Sequence, residues 1–287
     1  MGGKELTHVK LDRATTCALI DLLYRLGDDS LLIGHRNSEW TGLGPILEED
    51  IAFSSMAQDK MGHALAYYNM LHELGEGDPD AIAYRRDAAA FRCCTLVTME
   101  CFDDDSPGDD DESLCNNPLR DDLVRRGDWA LSLVRQYLFS GADAIRAAEM
   151  ASSSYEPLKH FARKIRGEVK YHTMHDRAMM ERLARATDES SRRLQFAVNK
   201  LFSHALGMFE PTDFDAALAE AGICPTEAQL GHQWRGQVEA FIDPIGLTLP
   251  DATKSTIGGR RGRSDPHLQA LLDELQKVHR LDSAATW

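Results

Sequence analysis

Several features are missing from this 287-residue chain, and each absence narrows what it can be. No apolar run approaches the ~20 residues that a membrane-spanning helix needs. The opening MGGKELTHVK has no apolar leader stretch, and Leu6 stands where a myristoylation signal calls for Ser or Thr. The cytoplasm is therefore the expected compartment, with no membrane partner. Cations are scarce, 32 Lys and Arg against 46 Asp and Glu, for a net charge of −14. That balance excludes a general nucleic-acid or anionic-membrane binder, since both need a cationic face, but it is compatible with one local basic site. The six cysteines (Cys17, Cys93, Cys94, Cys101, Cys115 and Cys224) show no C-x-x-C spacing and are expected to be free, mostly buried thiols. Cys101 and Cys115 are the pair placed to bridge on oxidation. No G-x-S-x-G elbow and no local catalytic-cysteine signature occur, and no convincing strand pattern is present.

What is present is helical periodicity. Leu11 to Trp40 spaces Cys17, Ile20, Leu23, Leu31 and Trp40 at near-helical intervals, with Gly27 and Gly34 as weak points where the helix can kink. Gly42-Leu43-Gly44-Pro45 ends it, and Ile51 to Leu74 reads as a second long helix. A short helix is expected at Asp80 to Arg86, and Phe91 to Met99 is apolar and either helical or extended. Six Asp and one Glu between Asp103 and Glu112 repel one another and bury nothing, so residues 102–117 read as a solvated loop without calcium-loop spacing. A third long helix is expected from Leu119 to about Ser152, a fourth from Tyr155 to Leu183 and a fifth from Ser190 to Phe209. Shorter helices are expected at Phe214 to Ala221, Thr226 to Ile242 and His267 to His279. The expected fold is all-α, a single ferritin-like four-helix bundle over residues 1–287 with additional C-terminal helices. Residues 1–10 are expected to be flexible. The long connection between the second and third helices is the kind of crossover such bundles use. Trp129, Tyr137, Trp234 and the methionines of the fourth helix read as core or interface residues.

Two helices each carry an acid and a histidine four residues apart, Asp59 with His63 and Glu168 with His172, so each pair projects from one face. Di-iron bundles use one carboxylate from each of two helices and a Glu-x-x-His from each of the other two. Glu39 and either Asp143 or Glu149 are candidates for the lone carboxylates. Three residues before the histidines, however, stand Lys60 and Val169, so both bridging-acid positions are replaced. An ammonium beside two dications is strongly unfavourable. The spacing leaves three readings: a metal-free polar core in which Lys60 pairs with Glu39, Asp59 or Glu168, an altered metal site, or surface-exposed side chains. Farther on, Gly258-Gly259-Arg260-Arg261-Gly262-Arg263 combines glycines with Arg260, Arg261 and Arg263. It matches no phosphate-loop fingerprint and reads as a flexible loop, a subunit contact or a site for a phosphate-bearing ligand.

Arg25-Leu26-Gly27-Asp28, Glu39-Trp40, Asp59 with Gly62, Glu168 with Tyr171-His172, Asn199-Lys200-Leu201-Phe202, Gly258 to Gly262 and the closing Trp287 occur in one order. Together they resemble the non-catalytic ferritin-like structural subunits of bacterial ring 1,2-phenylacetyl-CoA epoxidases (phenylacetate-CoA oxygenases). The acidic loop and the longer N-terminus depart from that pattern. The resemblance implies a metal-free partner of a catalytic ferritin-like subunit in aerobic phenylacetate breakdown. That catalytic subunit holds the di-iron centre and binds phenylacetyl-CoA, while FAD, iron–sulfur and NADPH chemistry belong to a reductase subunit. A homodimer or a higher hetero-oligomer is compatible with it. In related chains Gln often stands where this one has His63, and the arginine loop can approach CoA phosphates at a subunit interface. The competing reading is that the chain is itself a di-iron oxygenase, with Glu39, Asp59, His63, Glu168 and His172 as ligands. Iron storage would need a ferroxidase site and a cage-forming surface that the sequence does not display.

Overall fold

The computed structural model describes residues 11–100, 128–251, 254–263 and 265–282. Residues 1–10, the acidic loop, Cys101, Cys115, the expected helix before residue 128 and Trp287 lie outside the described residues.

Helix α1 (Arg13–Ser38) starts where the Asp12 carboxylate accepts the Thr15 amide, and it runs unbroken through both glycines. Those glycines are its contact points with α2 (Leu47–Glu73). At Gly27 an added Cβ would lie 2.5 Å from the Tyr68 ring, and Gly34 packs on Lys60 and Met61. Gly27 thus faces Tyr68 while Gly34 faces Lys60, so the two helices are antiparallel. The helix is continuous through both weak points, and there the glycines serve close packing.

The chain then forms α3 (Pro79–Tyr84), capped by Asp78, and after an extended stretch the four-residue α4 (Thr95–Thr98). Helix α5 (Trp129–Met150) is buried along almost its whole length, as expected of a helix that is apolar on most sides. It is surrounded by α6 (Glu156–Ala186), α7 (Asp188–Leu206) and α9 (Glu227–Ile242). Trp234 of α9 is buried against Phe202 and Phe209 and donates its indole N–H to Leu138 O at 3.0 Å. The short α8 (Asp215–Glu220) precedes α9. At the C-terminus the expected single helix is two, α10 (Pro266–Leu275) and α11 (Lys277–Leu281). The break falls at Gln276, whose side chain donates to Arg86 O at 2.9 Å.

Among the described residues all regular structure is helical. Helices α5 and α6 are antiparallel, since Ala151 O meets Arg163 while Ala147 packs with Ile165. Helices α2 and α5 run parallel, because Met56 meets Gln136 and Lys60 meets Asp143. Two antiparallel hairpins joined so that their inner helices run parallel require a long crossover, which is the connectivity of ferritin-like bundles.

Candidate functional site

The two acid-plus-histidine helices, α2 and α6, face each other with their pairs crossed. His63 of α2 donates from Nε2 to Glu168 of α6 at 2.9 Å, and His172 of α6 donates from Nε2 to Asp59 of α2 at 3.0 Å. Both imidazoles are buried, and the two carboxylates sit half-exposed at the rim. Lys60 lies beneath them at 0% exposure. Its ammonium pairs with Asp143 of α5 and lies 5.4 Å from the centre of the Phe139 ring. One turn beyond His172, Asp176 is also fully buried, and His175 stands between Asp176 (3.6 Å) and Glu49 (3.2 Å). Toward α1 the polar core continues through Asn37, which donates to Gln136, and Gln136, which donates to Ser140.

The charges in this cluster follow from burial and from the single ammonium. Burial lowers the basicity of His172 to about 3, with Lys60 adding to the effect. His63 is lowered for the same two reasons, so both rings are neutral. Burial pushes the Asp143 carboxyl upward, but Lys60 outweighs it and holds the group below the usual carboxylate range. Asp59 is raised by burial and by the charge of Glu168. His175 goes the other way: the Asp176 and Glu49 carboxylates raise it to about 9.

As arranged, these side chains do not fit a dinuclear metal centre. The two imidazoles point their Nε2 atoms at separate carboxylates, and among the described residues no three His, Cys, Asp or Glu side chains converge as ligands. The ammonium of Lys60 sits among them. At 4 Å and an effective dielectric of 20, each unit of like charge there costs about 4 kcal/mol.

Of the residues singled out in the sequence, Asp59, Lys60, His63, Glu168 and His172 come together. Glu39 does not. It closes the C-terminal end of α1, pairs with Arg36 at 2.6 Å and lines a cleft with Glu100 and Leu271 on the α10 side. The partner of Lys60 is Asp143, not Glu39, Asp59 or Glu168. Spacing along one chain identifies candidate acids but cannot say which of them a helix 83 residues away will aim inward. Asp176, His175 and Glu49 were not anticipated. The four-residue step from His172 to Asp176 was the available signal.

The arginine loop divides. Arg260 is buried at 4% exposure, pairs with Asp29 at 2.7 Å, and donates to Arg92 O and Met208 O. It is therefore not available to a phosphate or a partner surface. Gly259 and Gly262 let the loop lie on the 89–94 segment, where added Cβ atoms would come within 2.2 Å of Cys93 O and 2.3 Å of Ala89 O. Arg261 and Arg263 are exposed, Arg261 lying 3.4 Å from Glu210. The loop thus completes a second polar layer that α1 organises. Arg25 pairs with Glu227 at 2.6 Å, Glu227 also takes Arg146 at 2.6 Å, and Asp28 takes Arg86.

Fold and site together define an all-α, ferritin-like bundle whose central polar cluster is built on a lysine–aspartate pair. The chain belongs to the phenylacetic acid catabolic protein family, whose profile matches residues 7–287. It is similar to the subunit designated C of the 1,2-phenylacetyl-CoA epoxidase of Escherichia coli (strain K12), with 30% identity over 264 residues that cover 92% of this chain and 96% of that subunit.

Proposed function

We propose that this chain is a structural, metal-free subunit of a multicomponent di-iron phenylacetyl-CoA epoxidase. It pairs with the catalytic ferritin-like subunit and stabilises it during aerobic breakdown of phenylacetate in the cytoplasm. Family membership and the similarity to a subunit of an epoxidase support a place in such a complex. The observation that carries the metal-free part is the Lys60–Asp143 pair, a buried cation already neutralised by a buried acid in the middle of the histidine cluster. On this reading the di-iron centre belongs to the catalytic partner, and FAD, iron–sulfur and NADPH chemistry to a reductase subunit.

The competing reading, in which the chain is itself a di-iron oxygenase, draws on the two crossed imidazole–carboxylate pairs. It requires Lys60 to leave the core and both carboxylates to turn inward. Metal analysis after anaerobic reconstitution with ferrous iron separates the two, run alongside co-purification with the catalytic subunit encoded in the same genome. The structural subunit is expected to hold only substoichiometric iron and to co-elute with that partner. A full dinuclear complement with an oxo-bridge absorption band would overturn it.

A further inference from the structure

Helix α6 has a second working face. At 100° per residue, Arg166, Lys170 and Arg177 lie roughly opposite Glu168 and His172, away from the polar core. They line an open groove of about 1090 Å³ bounded by α5, α6 and the end of α9. The α5 side of the floor is small residues, Ala144, Ala147 and Ala148, and the α9 end is closed by Phe241, Pro244 and Ile245. Five cations line it (Arg163, Arg166, Lys170, Arg177 and Arg185) against one acid, Glu181, on a chain whose net charge is −14.

Some of these cations are already engaged. Arg185 pairs with Glu181, Arg163 donates to Ala151 O, and Arg177 stacks on Phe241 at 4.5 Å. Arg166 and Lys170 are exposed and have no ion pair among the described residues. A patch of positive charge kept on an acidic protein is a local attractor for negative charge.

The length of the groove argues for its occupant. From Arg163 to Arg185 the wall spans 23 residues of α6, about 33 Å end to end at 1.5 Å per step. That is the length of a helix. A floor of alanines lets a second helix axis approach closely, and cations at helical spacing flank the seam. Isologous self-association would set the cationic grooves of two copies against each other, like charge facing like charge.

We infer that this groove is the docking face for an acidic amphipathic helix of the catalytic partner subunit, with the partner's carboxylates meeting Arg166 and Lys170. The inference rests on the pairing proposed above and names the surface that performs it.

The test compares the wild-type chain with the double variant Arg166→Glu/Lys170→Glu, each co-expressed and then titrated with the catalytic subunit. Both residues are exposed, so the variant should melt where the wild type does. The wild type is expected to bind with an affinity that falls as salt rises, and the variant at least about tenfold more weakly. A zero-length carbodiimide cross-link should join Lys170 to a partner carboxylate. Equal binding by the variant would overturn the docking face and leave the pairing standing. Failure of the wild type to bind would overturn the pairing and this inference with it. Saturable binding of coenzyme A to the free chain, lost in the variant, would make the groove a small-anion site instead. Salt-sensitive self-assembly lost in the variant would make its occupant a second copy. Either result overturns the inference.

Discussion

Lys60 and Asp143 hold each other inside the bundle, an ammonium from α2 against a carboxylate from α5, with the lysine wholly out of solvent. Among the described residues each is the other's only ion-pair partner. Asp59 and Glu168 are turned toward the imidazoles, and Asp176 lies beside His175. The pair therefore stands or falls as a unit.

Removing one partner leaves the other charged in a low-dielectric core. Lys60→Met and Asp143→Leu should each destabilise the protein by about 3–5 kcal/mol in urea denaturation, whereas the double variant should recover most of that loss. Lys60→Glu should be worse than Lys60→Met, because it sets a second acid against Asp143. If Lys60→Glu changes neither stability nor iron content, the lysine does not hold the core together.

His172 and His175 give stability a two-sided pH dependence. His172 is lowered to about 3 in the folded state from an ordinary 6.5, so between those values the unfolded chain binds a proton that the folded one refuses. Its contribution is complete above pH 6.5 and is lost as pH falls toward 3, by at most ~1.4 kcal/mol per unit. His175 is raised to about 9. Its contribution is complete below pH 6.5 and is lost as pH rises through about 9. Urea midpoints measured from pH 4.5 to 9.5 should pass through a maximum. His172→Gln should flatten the acid limb and His175→Gln the alkaline one.

Glu227 ties Arg25 of α1 to Arg146 of α5, and the two guanidinium groups hold its carboxyl at about 2 against the opposing effect of burial. Glu227→Ala should cost about 3–5 kcal/mol by leaving two buried cations short of an anion. Glu227→Gln should cost less, since it keeps the shape and one acceptor. Thermal melts of the two variants check the order.

Two glycines should respond in opposite ways to alanine. At Gly259 the new Cβ would meet Cys93 O at 2.2 Å, a backbone atom that cannot swing aside. Gly259→Ala should therefore detach the loop and expose Arg260, read as faster proteolysis at the C-terminus. At Gly62 nothing lies within 4 Å. Gly62→Ala in the middle of α2 should stabilise by about 0.5–1 kcal/mol.

The helices were legible because apolar spacing and the Gly/Pro breaks are local signals. Helix α2 begins at Leu47 rather than Ile51, and α1 ends at Ser38 rather than Trp40, differences of a fraction of a turn to one turn. The crossed pairs were legible in part, since a four-residue step fixes which side chains share a face. Their cross-helix partners were not, because Lys60 meets Asp143 only through tertiary packing. Arg260 was the clearest miss. A glycine-flanked arginine looks solvated, yet its glycines serve to press the loop against Cys93 and Ala89, and that pressure buries the guanidinium. Glu39 was misplaced for the opposite reason: at a helix end an acid has a nearby Arg36 to satisfy it and no need to face the core.

The Asp29–Arg260 pair also sets an order of events during synthesis. Asp29 leaves the ribosome 231 residues ahead of the arginine that neutralises it, and Arg25 precedes Glu227 by 202. At ordinary elongation rates that is a wait of roughly ten seconds or more. The α1–α2 hairpin can form early from contacts close in sequence, but Asp29 on its far side stays without its arginine until the C-terminal loop arrives. The C-terminal loop is thus the latch of the fold. A nascent chain stalled before residue 260 would hold its first two helices and still leave Asp29 without the guanidinium that neutralises it.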